Sequence, residues 1–240
     1  MGKLFEIIEC HVMVKKQDIM VLLLVLFAPW VNGQVAKVDS SYSNWYYEQR
    51  LAYFNAMPTV HDAIVFLGNS ITERAEWQEL LADNKRPILN RGIGGDNSFG
   101  IRARMEEVLR GKPHTIFLMD GINDQFRLLP QEVSIANYRQ IIQMIKTRSP
   151  KTKIIVQSAL PINEQMTNEP YTKNRNELVL RLNTKLRQLA ADEGVPFVDL
   201  VPLFQDEQGN LDRSFTTDGV HLIPTAYMKW IEALKERKFL

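Results

Sequence analysis

Ser70, Asn123, Asp218 and His221 stand in three short motifs separated by long gaps. These are Gly68-Asn69-Ser70-Ile71-Thr72, Gly121-Ile122-Asn123-Asp124 and Asp218-Gly219-Val220-His221. Together they offer a hydroxyl, a neutral amide donor, a carboxylate and an imidazole, the groups that acyl transfer through a serine nucleophile requires. Each motif alone has a plainer use. Asn69 or Ser70 would cap a helix, Asn123-Asp124 would form a turn after a strand, and Asp218-Gly219 is a common turn pair. His221 follows Asp218 closely enough for a turn to bring the carboxylate against the ring, fixing its tautomer and stabilising the imidazolium.

A fourth segment, Arg91-Gly92-Ile93-Gly94-Gly95-Asp96, is dense in glycine. Such a loop lets backbone N–H groups approach a ligand closely. It is not a dinucleotide fingerprint, because Asn97 stands where the third glycine of G-x-G-x-x-G would be. An oxyanion-binding loop and a plain tight turn with Asp96 capping the next helix both remain open at this point.

The elements that must position these residues alternate between strand and helix. Five short apolar runs bounded by turn residues read as buried strands: 63–67, 87–90, 115–119, 153–157 and 196–199. Ile135, Tyr138, Ile142 and Ile145 form one helical stripe, stopped at Ser149-Pro150. Leu178, Leu182, Leu186 and Leu189 form another, closed by Gly194 as a left-handed C-cap. Further helices are expected over 73–82, 99–109 and 225–238, the last begun by Pro224. This alternation predicts an α/β fold, a three-layer α/β/α sandwich around a five-stranded parallel sheet. Ligands of such sheets bind beyond the carboxyl ends of the strands. Ser70, the glycine loop and Asn123 each follow a predicted strand, so one sheet edge would gather them. The aromatic segment 41–57, with Trp45, Tyr46, Tyr47, Tyr53 and Phe54, predicts a short helix ended at Met57-Pro58. It would pack on its own domain or serve as a dimer contact.

The rest of the chain narrows the function classes. Its 240 residues suit one α/β domain, with 45% apolar and 24% charged residues. A net charge of +1 and the lack of a long basic run point away from nucleic acid. Lys15-Lys16 precede an apolar run from Ile19 to Trp30 and then Val31-Asn32-Gly33-Gln34, the layout of a secretory signal peptide. The expectation is a signal peptide over 1–33, cleavage after Gly33, a possible true start at Met13, and a single domain over 34–240. The product would be periplasmic or secreted, with no stable membrane anchor. Cys10, the lone cysteine, falls in the leader, and His61, His114 and His221 lack metal-ligand spacing. No metal and no cofactor are implied.

With these residues assembled, the chain resembles the SGNH hydrolase superfamily, the GDSL-type esterases and lipases, from about Ala63 to Leu222. Four blocks occur in the family's order: 65–72, Asn90 to Asp96, Gly121 to Asp124, and Asp218 to Leu222. The first departs from the pattern at Asn69, where the family usually has aspartate. The resemblance implies the flavodoxin-like fold of that superfamily, with Ser70, Asp218 and His221 as catalytic triad. It implies an oxyanion hole from the N–H groups of Ser70 and Gly95 and the side chain of Asn123. The α/β-hydrolases share the order Ser, Asp, His, but 68–72 is not their G-x-S-x-G elbow.

The expected activity is therefore hydrolysis of a small acyl ester through an acyl-enzyme. The chain is also similar to secreted bacterial acyl-sugar or sialate O-acetylesterases, and more distantly to platelet-activating-factor acetylhydrolase catalytic subunits. The polar loop 161–172 and the lack of an obvious lid favour an acetyl group on a carbohydrate over a buried long-chain lipid. The expected partner is a small-molecule or glycan ester. A lysophospholipase or thioesterase acting on lipid acyl groups is the alternative enzyme. A non-catalytic carbohydrate-binding protein is the alternative from another class. Oligomeric state is not encoded in any of these features.

Overall fold

The structure, a computed structural model, describes residues 38–240. The signal-peptide reading, Met13, Cys10 and the cleavage point all lie outside the described residues. Within them, five strands form one sheet: β1 (Ile64–Gly68), β2 (Ile88–Gly92), β3 (Thr115–Met119), β4 (Lys153–Gln157) and β5 (Phe197–Val198). The order is β2-β1-β3-β4-β5, and every neighbouring pair is parallel. All residues of β1 and β3 are buried, as expected of strands covered on both faces. Gly68 pairs with both Gly92 and Met119, so β1, β2 and β3 end level. The chain runs outward from β1 to β2 and then crosses back to β3, which opens a crevice between the loops that follow them.

The aromatic segment forms α1 (Trp45–Ala56), capped by the Asn44 side chain, which accepts from Tyr46 and Tyr47 N–H. Helices α2 (Ser70–Glu73) and α3 (Trp77–Leu80) follow β1, then α4 (Ser98–Ala103) and α5 (Met105–Leu109) follow β2. After β3 come α6 (Ile122–Phe126) and α7 (Gln131–Arg148), and α8 (Asn176–Asp192) links β4 to β5. The chain closes with α9 (Val201–Phe204) and α10 (Pro224–Glu236), the latter opened by proline. Helix α7 packs on α4, α5 and α8, while α10 packs on α3 and α9. Phe66 of β1 stacks on Phe117 of β3 at 4.9 Å and on Trp77 at 3.8 Å, and Trp230 meets Trp77 edge-on. This aromatic stack anchors the strand that carries the first motif.

Three expectations are corrected. The helix expected over 73–82 begins earlier, at Ser70, and is broken between Glu73 and Trp77. Carbonyls freed by the break are taken by side chains: Asn90 Nδ2 donates to the Glu73 and Ala75 oxygens, and Trp77 Nε1 to that of Thr72. The helix expected over 99–109 is likewise interrupted at Arg104. In α8 the buried face is Val179, Leu182, Leu186 and Leu189, with Val179 rather than Leu178 taking the first core position. Gly194 holds the left-handed conformation expected of it, at φ 62°.

Candidate active site

Strand β1 ends at Gly68, and Asn69 turns the chain into α2 with its side-chain oxygen accepting from Ile71 N–H. Asn69 is therefore the cap, and Ser70 becomes the first residue of the helix. That placement leaves the Ser70 hydroxyl half-exposed at the carboxyl edge of the sheet. Tyr227 of α10 donates to the Ile71 carbonyl at 2.7 Å and ties this turn to the C-terminal helix.

The Asp218–His221 turn reaches the same edge. His221 Nε2 lies 2.9 Å from Ser70 Oγ, and His221 Nδ1 lies 2.6 Å from Asp218 Oδ2. An ionised Asp218 makes Nδ1 the protonated nitrogen and leaves Nε2 free to accept from the serine. Asp218 Oδ1 accepts from the N–H groups of Val220 and His221 at 2.9 and 2.8 Å. Burial opposes ionisation of Asp218, yet these N–H groups and the imidazole together hold its carboxyl well below the usual carboxylate range. Burial moves His221 below its ordinary value of 6.5, Asp218 pulls it back up, and Arg74 adds to the lowering. Gly219 adopts φ 82°, and a side chain there would meet the Asn163 carbonyl at 2.7 Å. Loop and turn are locked together at that point.

Gly95 and Asn123 complete the edge. Gly95 has φ 75° and is exposed, with open space where a Cβ would stand. Asn123 does not lie in a simple turn but in the first turn of α6, and its Nδ2 donates to the Asp96 carbonyl at 2.7 Å. One amide hydrogen is thus fixed, and the second remains for a ligand. Ser70, Gly95, Asn123 and His221 all line one cleft of about 410 Å³.

Beneath this edge lies a layer of buried charge. Asp96 does not cap the following helix, because Asn97 does so, accepting from Phe99 and Gly100 N–H. Instead the Asp96 carboxylate receives Arg104 Nε at 2.9 Å, with both side chains wholly buried. Burial raises the Asp96 carboxyl to about 6, even with Arg104 acting against it. Arg104 Nη2 also donates to the Gly68 and Arg91 carbonyls at 3.0 and 2.9 Å, which clamps the ends of β1 and β2. Asp120 is buried, and Asn69 Nδ2 donates to its Oδ1 at 2.9 Å. Burial first, then the charges of Asp124 and Asp96, push the Asp120 carboxyl well up.

The cleft also contains residues that motif reading passed over. Ile122, Phe126, Tyr171 and Val220 form its apolar wall, and Arg127 lies at its margin. Tyr171 stands edge-on to Phe126 at 5.3 Å. The loop 161–172 was expected to be polar, and its single aromatic residue is the one that turns to the cleft. Among the described residues, no helix is long and apolar enough to cross a membrane.

A parallel five-stranded sheet flanked by helices, with these four blocks on its carboxyl edge, defines a hydrolase of the SGNH superfamily. The sequence model of the GDSL-like Lipase/Acylhydrolase family matches residues 66–229. The chain belongs to that family and is a carboxylic ester hydrolase by class. It is similar to the isoamyl acetate-hydrolyzing esterase of Saccharomyces cerevisiae, 31% identical over 197 residues, covering 70% of this chain and 82% of that protein. The platelet-activating factor acetylhydrolase IB subunit alpha2 of Homo sapiens is 28% identical over 177 residues, covering 72% of this chain and 74% of that protein. A solved structure from Streptococcus pneumonia has a TM-score of 0.74 at 26% identity, covering 93% of this chain and 99% of the other.

Proposed function

We propose that the protein is a serine esterase that removes a small acyl group, acetyl above all, from a carbohydrate. The observation that carries this reading is the continuous chain Ser70 Oγ, His221 and Asp218, with contacts of 2.9 and 2.6 Å. In the first half-reaction His221 Nε2 takes the hydroxyl proton as Ser70 Oγ attacks the ester carbonyl carbon. The carbonyl π pair moves onto oxygen, and the N–H groups of Ser70 and Gly95 with the Asn123 amide hold that oxyanion. Collapse expels the alcohol, which leaves with the proton from His221. Water then attacks the acyl carbonyl, giving a proton to His221, and collapse breaks the bond to Ser70 Oγ, which takes that proton back as the carboxylic acid departs. Asp218 holds the ring and balances its charge in both halves.

The acetyl preference is supported by the modest cleft volume and by the acetyl esters named for two relatives. The apolar wall of Ile122, Phe126, Tyr171 and Val220 favours a second reading, a lipid acyl hydrolase. Activity on acetylated saccharides, lysophospholipids and acyl thioesters separates the two. Purified Ser70→Ala should be inert toward a short aryl acetate and should escape labelling by a fluorophosphonate. Cleavage by this variant at the parental rate would sink the scheme. The apolar run from Ile19 to Trp30 supports export, which fractionation of an expressing bacterium would test.

A further inference from the structure

The glycine loop that carries Gly95 is anchored outside the main core. Its only apolar side chain, Ile93, is wholly buried and packs against Tyr47 and Phe54 of α1 in a small core of their own, which the partly buried Tyr42 and Leu51 complete. Ile93 is also the first residue of the turn that presents Gly95. Asp96 N–H donates to the Ile93 carbonyl at 3.1 Å, and Gly95 stands third with φ 75°. The seat of Ile93 therefore sets where the Gly95 N–H points.

The segment 41–57 meets the loop at other points too. The Arg91 guanidinium lies 4.6 Å from the Phe54 ring centroid. A side chain at Gly94 would stand 3.0 Å from Glu73 Oε2 and 3.2 Å from Tyr46 Cε1, so the loop backbone passes directly against that pair. Tyr46 Oη in turn donates to Glu73 Oε1 at 2.8 Å, and Glu73 closes the short helix that Ser70 opens. Just past the loop, Asn97 Nδ2 donates to the Ser41 carbonyl and Tyr47 Oη to the Gly100 carbonyl, both at 2.9 Å. Arg110 pins the far end of α1 by donating to the Phe54 and Met57 carbonyls at 2.8 and 2.7 Å.

Resting on the esterase reading, we propose that α1 is a brace for the oxyanion hole, with Ile93 as the positioning residue through which it fixes the Gly95 N–H. Arg104 holds one end of the loop through Asp96, and α1 holds its middle. A donor acts only when it stands close to the place the oxyanion will occupy, and a shift of about 1 Å can cost a hundredfold in rate. Ile93 touches no reacting atom, so its loss should be felt in the transition state and not in substrate binding.

The test measures p-nitrophenyl acetate hydrolysis, with active sites counted by end-point fluorophosphonate titration so that only folded, nucleophilic enzyme enters kcat. Ile93→Ala should lower kcat per titrated site roughly 10- to 100-fold, with KM little changed. Ile93→Val and Phe54→Leu, which keep most of the seat, should show smaller losses of the same kind. The midpoint of the acid limb should stay where it is in all three, because His221 is untouched. Parental kcat per titrated site in Ile93→Ala, or in both milder variants if that one does not fold, would overturn the brace and leave the esterase reading standing. A loss expressed in KM, or a displaced acid limb, would overturn it as well. No turnover of the aryl acetate by the parent would instead overturn the esterase reading beneath it.

Discussion

Asn69 and Asp120 face each other at 2.9 Å, amide to carboxylate, with each residue only 1% exposed. The turn that carries Ser70 and the end of β3 are joined through this pair. Burial and neighbouring acids have already raised the Asp120 carboxyl, so an aspartate at position 69 would confront a like group in the same dry contact.

Asn69→Asp restores the residue usual in the family, yet it should destabilise this chain. A carboxyl whose folded pKa lies above its unfolded value stabilises below the unfolded pKa, and that contribution is lost as pH rises through the folded pKa. The variant should therefore melt lower than the parent by roughly 4–8 °C in mildly alkaline buffer, about 2 kcal/mol in a chain of this size. The deficit should shrink in acid. Adding Asp120→Asn should recover most of the loss, and thermal scans of the four proteins make the cycle. An unshifted melting point for Asn69→Asp in alkaline buffer would contradict the arrangement.

The pH profile should carry the signature of a buried base. His221 must be neutral to accept the serine proton, and burial holds it below 6.5. The acid limb of kcat/KM on an aryl acetate should accordingly have its midpoint below that value. Arg74 contributes to the lowering, so Arg74→Gln should move the limb upward. A limb that stayed in place would remove Arg74 from the electrostatics of the pair.

Asn123→Ala should reduce kcat by roughly 10²–10³, the range for loss of one oxyanion donor, with a much smaller change in KM. It also deprives the Asp96 carbonyl of a partner, which costs about 1 kcal/mol of stability. Steady-state kinetics beside a melting curve distinguish the two effects, because a stability loss of that size cannot reproduce a hundredfold fall in kcat.

Arg104→Met should be the most damaging change away from the chemistry. It strands the Asp96 carboxylate in a wholly buried site and releases the Gly68 and Arg91 carbonyls. Breaking a buried ion pair from one side costs roughly 3–5 kcal/mol. Urea titration should show the midpoint falling accordingly, and a drop under about 1 kcal/mol would mean that the pair is replaceable.

The strands were legible because each is a short apolar run, and β3 and β4 match their expected limits. The four blocks were legible because their residue types together suit one chemistry, and their order resembles that of a known family. What escaped depends on contacts between distant residues. Nothing local in 73–82 announces a broken helix, since the carbonyl partners that permit the break come partly from Asn90 on another strand. Asp96 and Asn97 are equally good caps by propensity, and Arg104 decides between them by claiming the aspartate. Tyr171 looked like part of a polar loop until Phe126 gave it a neighbour. Segment 41–57 showed its helix but not its face. Tyr47 and Phe54 are buried in the domain, as one of its two readings required, while Tyr46 and Arg50 turn to Ser70.

Helix α1 stands before the first strand, outside the strand–helix units that carry all four blocks. Through Tyr46 and Arg50 it nonetheless reaches the surroundings of Ser70 from its own stretch of chain. Substitutions on one face of this 12-residue helix should change what borders Ser70 while the sheet and its register stay as they are. Among relatives sharing this sheet, the segment ahead of β1 is the place to look for divergence of substrate.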